Sequence, residues 1–271
     1  MGKSKLLIFA FAMVLIPVLL AVGADGIAPY DPVAQDIVAR LHGPMATHWL
    51  GTDQLGRDVL SRILFGSRAS LLVSAASVGL ALLAGGTLGL LAAFYRGWTE
   101  RILMRAMDIL FAFPVMLLAI GVVAVLGPGG ATATFAIAVV YTPIVARLLR
   151  GPALVICESD FVIGARAAGA TDARILFLHV LPNLAGVMLV QTSLLLSSAI
   201  LVEASLSFLG LGTQPPHPSL GLMLAEGRNV LMLSPWSALF AGAAILLLAF
   251  GLNLLGDALR DRLDPRLRGP A

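Results

Sequence analysis

GARAAGATDARILFLHVLPN, Gly164 to Asn183, lies between two of the most apolar segments of a 271-residue chain. It threads Arg166, Asp172, Arg174 and His179 through a run of Ala and Gly. What surrounds it decides the fold. The chain is 59% hydrophobic and only 12% charged, with mean hydropathy +0.95. A soluble domain carries about 25% charged residues, so the shortfall places this chain in a membrane. A helix needs about 20 apolar residues to cross the hydrocarbon layer. Stretches without Asp, Glu, Lys, Arg or His run over Leu6–Ala24, Ala69–Tyr95, Ile109–Ala146, Val180–Val202 and Asn229–Gly256. Gly127-Pro128-Gly129-Gly130 cuts the third into two spans joined by a tight turn. The last helix is expected to begin near Pro235-Trp236. The expectation is an all-α integral membrane protein with six transmembrane helices. The first span has a rival reading. Lys3, Lys5, an apolar run and Ala21-Val22-Gly23-Ala24 also resemble a secretory signal peptide, although the run exceeds the roughly 7–15 residues usual there.

Alternating sides from an internal N-terminus groups the basic residues. One side holds Lys3, Lys5, Arg96, Arg101, Arg105, Arg147, Arg150, Arg166, Arg174, Arg260, Arg262, Arg266 and Arg268. The other holds only Arg40, Arg57, Arg62, Arg68 and Arg228. The positive-inside rule puts the richer side, both termini and the opening stretch in the cytoplasm. The chain then divides into residues 1–68, a first helix with an external segment, and residues 69–271, a five-helix core with a cytoplasmic loop at 158–179.

Several chemistries are excluded. A single cysteine, Cys157, rules out an internal disulfide and a metal site built on Cys pairs. His42 and His48 lack the i, i+4 spacing of a helical zinc site. Neither Lys3 nor Lys5 follows a phosphate-binding glycine loop, so ATP-driven work falls to a partner. A net charge of +3 carried almost wholly by Arg points to lipid headgroups and topology, not nucleic acid. An intramembrane hydrolase needs a nucleophile and a base at one depth. No His lies inside a span, and Ser197 and Ser198 have no base in view.

In the opening stretch, Phe161–Ala168 suits a short helix stopped by Gly169, since glycine accepts the left-handed conformation that ends helices. Thr171 is a plausible N-cap for a second short helix through Leu178, with Asp172 favoured by the helix dipole. Pro182 limits the entry into span five. Ala165, Ala167, Ala168, Gly169 and Ala170 give the bend low relief. Ile175, Phe177 and Leu178 can anchor it, and Arg166 and Arg174 flank it. Two readings stand: an ordinary interfacial loop helix, or a surface that docks into a groove on another protein. A passive channel or scaffold would not need the second.

The external segments are read as follows. From Gly56 a short interfacial helix carries Val59, Leu60, Ile63 and Leu64 on one arc, with Arg57, Ser61 and Arg68 away from it and Arg reaching the headgroups. Asp53 and Asp58 read as capping and salt-bridging residues in preference to a cation site. Glu203 opens a second external segment close to the membrane boundary. Its Gly- and Pro-rich stretch reads as a compact re-entrant or capping loop, with His217 on the surface in preference to a substrate contact.

GARAxGAxxxxxxxxHxLPN, Gly164 to Asn183, resembles the cytoplasmic loop of binding-protein-dependent ABC transporter permeases. Gly169 matches that family's central glycine, and Ala165, His179, Leu181, Pro182 and Asn183 match its other fixed positions. One departure is the usual Glu-Ala-Ala opening, replaced here by Ile163-Gly164-Ala165; Glu158 or Asp160 stands as the substitute acid. HWLGTDQLGRDVLSRILFG (His48–Gly66), EASLSFLGLGTQPPHPSLG (Glu203–Gly221) and NLLGDALRDRLDPRLR (Asn253–Arg268) look like the C-type permease of the dipeptide, oligopeptide and nickel importers.

The resemblance implies a type I ABC importer permease fold. It also implies a homologous B-type permease partner, two ATPase subunits that hold ATP and Mg, and an external solute-binding protein. This chain would bind no cofactor of its own. The loop would form the coupling helices, with Ala165, Arg166, Ala168, Gly169, Ala170, Asp172, Arg174, His179 and Pro182 as the ATPase-coupling set. The pair would move as a rigid lever, because packed elements switch between discrete arrangements. Di- or oligopeptides are the favoured cargo, and nickel or a metal chelate is the alternative.

Polar residues inside the spans are Thr132, Thr134, Tyr141, Thr142, Gln191, Thr192, Ser193, Ser197, Ser198 and Asn253. Tyr141, Gln191, Ser197 and Ser198 are the candidates to line the pathway; others bond to helix backbones. Gly85 and Gly89 offer a close-approach face to the partner permease.

Overall fold

The computed structural model describes residues 3–263, so Arg266 and Arg268 of the basic set lie outside the described residues. Among the described residues, besides a single turn at Ala24–Ile27 and a 3-10 turn at Ile37–Ala39, nine helices of eight residues or more organise it. They are α1 (Lys3–Val22), α2 (Val59–Tyr95), α3 (Gly97–Phe111), α4 (Val115–Leu126), α5 (Gly130–Cys157), α6 (Asp160–Ala167), α7 (Asp172–Phe208), α8 (Leu220–Asn229) and α9 (Trp236–Leu263). Among the described residues the only β pairing is an isolated bridge between Thr52 and Asp58.

Four helices, α2, α5, α7 and α9, are long and apolar enough to cross a membrane. The third expected span is different. It is a broken pair, α3 and α4, bent by 88°. With 12 residues, α4 is about 18 Å long, short of a hydrocarbon layer of about 30 Å. The break falls at Phe113-Pro114. The residue before proline is pushed out of the helical region, and Pro114 has no N–H to continue the ladder. The apolar part of α1, Leu7–Val22, is also short. It packs on α9, where Gly251 leaves room for Met13 and Val14.

The expected interfacial helix does not exist as a separate element. Asp58 caps α2 by accepting from the Ser61 N–H at 2.8 Å, and the helix then runs unbroken for 37 residues. The expected division between residues 68 and 69 falls inside it. Arg57 and Arg62 do not reach headgroups; they are 3% and 1% exposed. Arg57 pairs with Asp53 at 2.6 Å, and both arginines bond Glu226 of α8 at 2.9 Å. Arg62 also pairs with Asp53 at 2.9 Å. Buried charge is tolerated when paired, and every charge of this cluster has an opposite partner, although the Arg62 Nε and Nη1 make no hydrogen bond. Asp53 and Asp58 thus serve as salt-bridge and cap residues, as read from the sequence. Of the other three arginines expected on that side, Arg40 and Arg228 are exposed, and Arg68 is half-buried and bonded to Asp25 at 2.8 Å.

The core lies between α2 and α5, around Val78, Ala81, Ile137, Tyr141, Val145 and Leu149. Gly85 and Gly89 face inward here, against α5 of the same chain. A Cβ at Gly85 would sit 2.9 Å from the Val145 Cβ, and one at Gly89 3.1 Å from the Ala146 Cα. The small-residue face is therefore spent within the subunit and is not free for a partner permease.

Glu203 is not in an external loop. It lies inside α7, 1% exposed, accepting from the Ser207 hydroxyl at 2.7 Å and facing Ser70 of α2. A charge ends a hydropathy window but not a helix. His217 is exposed, as expected.

Ion pairs and loop contacts sort to opposite ends of the bundle. At one end are the Asp53–Arg57–Arg62–Glu226 cluster and the Asp25–Arg68 pair, and the Gly129 N–H donates to the Leu211 carbonyl. At the other, Arg96 pairs with Glu158, Arg147 with Asp108 and Arg150 with Glu100. Segments assigned to one side by alternation do meet one another.

Candidate functional site

The opening stretch forms an elbow at the second of these ends. Helix α6 covers Asp160–Ala167, close to the expected Phe161–Ala168. Gly169 follows with φ +81°, the left-handed value that stops a helix. Its N–H donates to the Arg166 carbonyl, and the Ala170 N–H donates to the Ala165 carbonyl. Thr171 then caps α7, its hydroxyl accepting from the Arg174 N–H.

The second helix of the elbow is not a separate short one. It continues into span five as a single 37-residue helix. Over Ile175–Val180 it is wound as a π-helix, and the Leu181 N–H donates back to Leu176. Pro182 explains the winding. Its ring clashes with the carbonyl four residues back, and a wider turn relieves the conflict without ending the helix. The proline therefore does not limit entry into the span.

The elbow is seated by its apolar side. Val162, Ile175 and Val180 are fully buried against Ala93, Phe94, Ala153 and Leu184. Arg166 lies over the Phe94 ring at 5.2 Å, and Asp172 lies against the Tyr95 hydroxyl. His179 packs beside Phe161 at 6.4 Å between ring centroids. The opposite side is open. Arg166, Ala168, Gly169, Asp172, Arg174 and Pro182 are exposed, while Ala165 and Ala170 are half-buried. Phe177 and Leu178, expected as anchors, are instead 67% and 62% exposed. Of the residues expected to couple, only Ala165, Ala170 and His179 are half-buried, and the exposed apolar Phe177 and Leu178 lie on the same stretch. Glu158 is held by Arg96 at 2.8 Å, so its carboxylate is already engaged. Sequence reasoning missed the seat, Phe94, Tyr95 and Arg96. These residues are some 70 positions from the elbow and carry no local signal.

Residues 85–269 match the model of a family described as "Binding-protein-dependent transport system inner membrane component". The chain belongs to that family. It is 45% identical over 267 residues to a glutathione transport system permease protein, GsiD, of Pectobacterium atrosepticum, covering 98% of this chain and 89% of that one. It is 42% identical over 266 residues to a dipeptide transport system permease protein, DppC, of Alkalihalophilus pseudofirmus, covering 98% and 88%. The MetNI methionine ABC transporter in inward-facing form gives a TM-score of 0.61 at 18% identity, covering 76% of this chain and 97% of that one. That likeness shows the type I importer permease fold. The chain is a multi-pass inner membrane component that works with ATPase and substrate-binding partners.

The four pathway candidates do not share one environment. Tyr141 and Ser197 are 3% and 1% exposed, packed between helices. Ser197 donates to the Ala249 carbonyl and accepts from Asn253, which ties α7 to α9. Gln191 is half-buried and Ser198 is exposed. Thr134, Thr142, Thr192 and Ser198 each bond the carbonyl four residues back on their own helix.

Proposed function

We propose that this chain is one permease half of an ATP-driven importer of di- and oligopeptides, paired with a homologous B-type permease and two ATPase subunits. The observation that carries the cargo is likeness over 98% of the chain to permeases named for glutathione and for dipeptides. ATP and Mg reside on the ATPases, and an external binding protein delivers the peptide. The elbow inserts into a groove of the ATPase. Ala165, Ala168, Gly169 and Ala170 form its low-relief floor, and Arg166, Asp172 and Arg174 form its charged rim. His179 and Pro182 hold the second helix at its angle. When the ATPases close on ATP, the elbow moves with them and the spans switch toward the outside. Gln191 and Ser198 supply polar lining to the pathway, while Tyr141 and Ser197 set its shape from behind.

Deleting this chain in its host is expected to abolish uptake of a radiolabelled dipeptide, with recovery from a plasmid copy. Unchanged dipeptide uptake together with lost nickel uptake would replace the cargo with the metal.

Both termini are placed in the cytoplasm. An alkaline phosphatase fusion at Gly129 is then expected to be active and one at Thr171 inactive. The reverse pattern inverts the topology.

A further inference from the structure

A second feature at the elbow's end of the bundle lies outside the coupling surface. An open cavity of about 760 Å³ separates α3 from α5. Arg101 and Arg105 line it from α3, and Arg147 and Arg150 from α5, with Glu100 and Asp108 as the acids. Arg147 is paired with Asp108 and Arg150 with Glu100. Arg101 and Arg105 have no carboxylate partner among the described residues. Being four apart on a helix, they share a face. Arg101 is steadied by the Trp98 ring at 4.9 Å. The cavity thus holds two guanidiniums without a carboxylate partner, a setting that favours an anion.

The surroundings identify which anion. Because of the 88° bend, α3 turns away from the direction of α4. Tyr95, Trp98, Ile102, Ile109, Phe111 and Phe113 are all exposed around it, from 49% to 73%. Aromatic and aliphatic residues of this kind mark a helix lying in the membrane interface, at headgroup depth. Basic pockets between helices on the cytoplasmic side take lipid headgroups. A planar guanidinium fork matches phosphate oxygens in pairs. We propose that this cavity binds the phosphate of an anionic phospholipid, with Arg101 and Arg105 as its ligands.

The test uses the full transporter, purified with its partner subunits and stripped of lipid in detergent. Phosphatidylglycerol is expected to raise the melting midpoint of the wild type, because a ligand that binds only the folded state stabilises it. Phosphatidylcholine is expected to leave it unchanged. The Arg101→Ala/Arg105→Ala variant is expected to need about 10- to 30-fold more phosphatidylglycerol for the same rise. The Arg101→Lys/Arg105→Lys variant keeps the charge and is expected to retain most of the response. Equal responses in wild type and the alanine variant overturn the proposal. An equal rise with inorganic phosphate alone also overturns it, since the site would then take a free anion.

Discussion

Replacing Gly169 with valine is expected to leave a transporter that assembles and does not transport. The glycine has φ +81°, and a Cβ there would meet nothing within 4 Å. The substitution therefore creates no clash. Its whole effect lies in the backbone. A left-handed residue with a Cβ costs about 1–2 kcal/mol, and a β-branched one is a genuine outlier. The elbow would relax toward another bend, a bias of about 5- to 30-fold against the docked geometry. Amounts of the complex and its melting midpoint should match the wild type. Peptide uptake and binding-protein-stimulated ATP hydrolysis should fall to roughly a tenth or below. Gly169→Asn should lie between, since asparagine tolerates this conformation. Wild-type uptake by an intact valine variant would remove the elbow from the coupling path.

The second large effect concerns stability. Arg62→Ala is expected to lower the melting midpoint of the purified complex by roughly 10 °C. Arg62 is 1% exposed and joins Asp53, in the segment before α2, to Glu226 of α8. Removing one member of a buried pair leaves the other charge without compensation, at a cost of about 3–5 kcal/mol. Arg57 alone would then face two carboxylates. Burial already pushes the Glu226 carboxyl above its usual range, and Arg57 draws it back. Arg40→Ala serves as the control, because Arg40 is exposed. Equal midpoints for Arg62→Ala and Arg40→Ala would show that the cluster contributes nothing to stability.

The two variants probe what was, and was not, legible in the sequence. Gly169 and Thr171 could be read because a helix stop and a helix cap are local events, decided within four residues. The start of α9 at Trp236 was readable for the same reason. The Arg62 cluster was not readable, because Glu226 lies 164 positions away. On an isolated segment its arginines look like surface charges. The continuity of α2 was hidden by the same error, since Arg68 ended a hydropathy window in the middle of a helix. The π-wound Ile175–Val180 left no trace in periodicity. Only the helix on both sides of Pro182 forces it. In the candidate site, the exposed surface could be read, but the seat could not. Phe94 looks like the end of a span until α6 is folded against it.

The unbroken run of α2 has a mechanical consequence. It contains no proline, and it carries Arg62 of the buried ion-pair cluster and Phe94 beneath the elbow. Those residues are 32 positions apart, about 48 Å along the axis. A tilt of only about 5° about the Phe94 end would sweep the Arg62 end through about 4 Å. That travel is larger than the 2.9 Å between Arg62 and Glu226. Any such tilt of α2 would be felt at both ends at once, because one unbroken helix carries both.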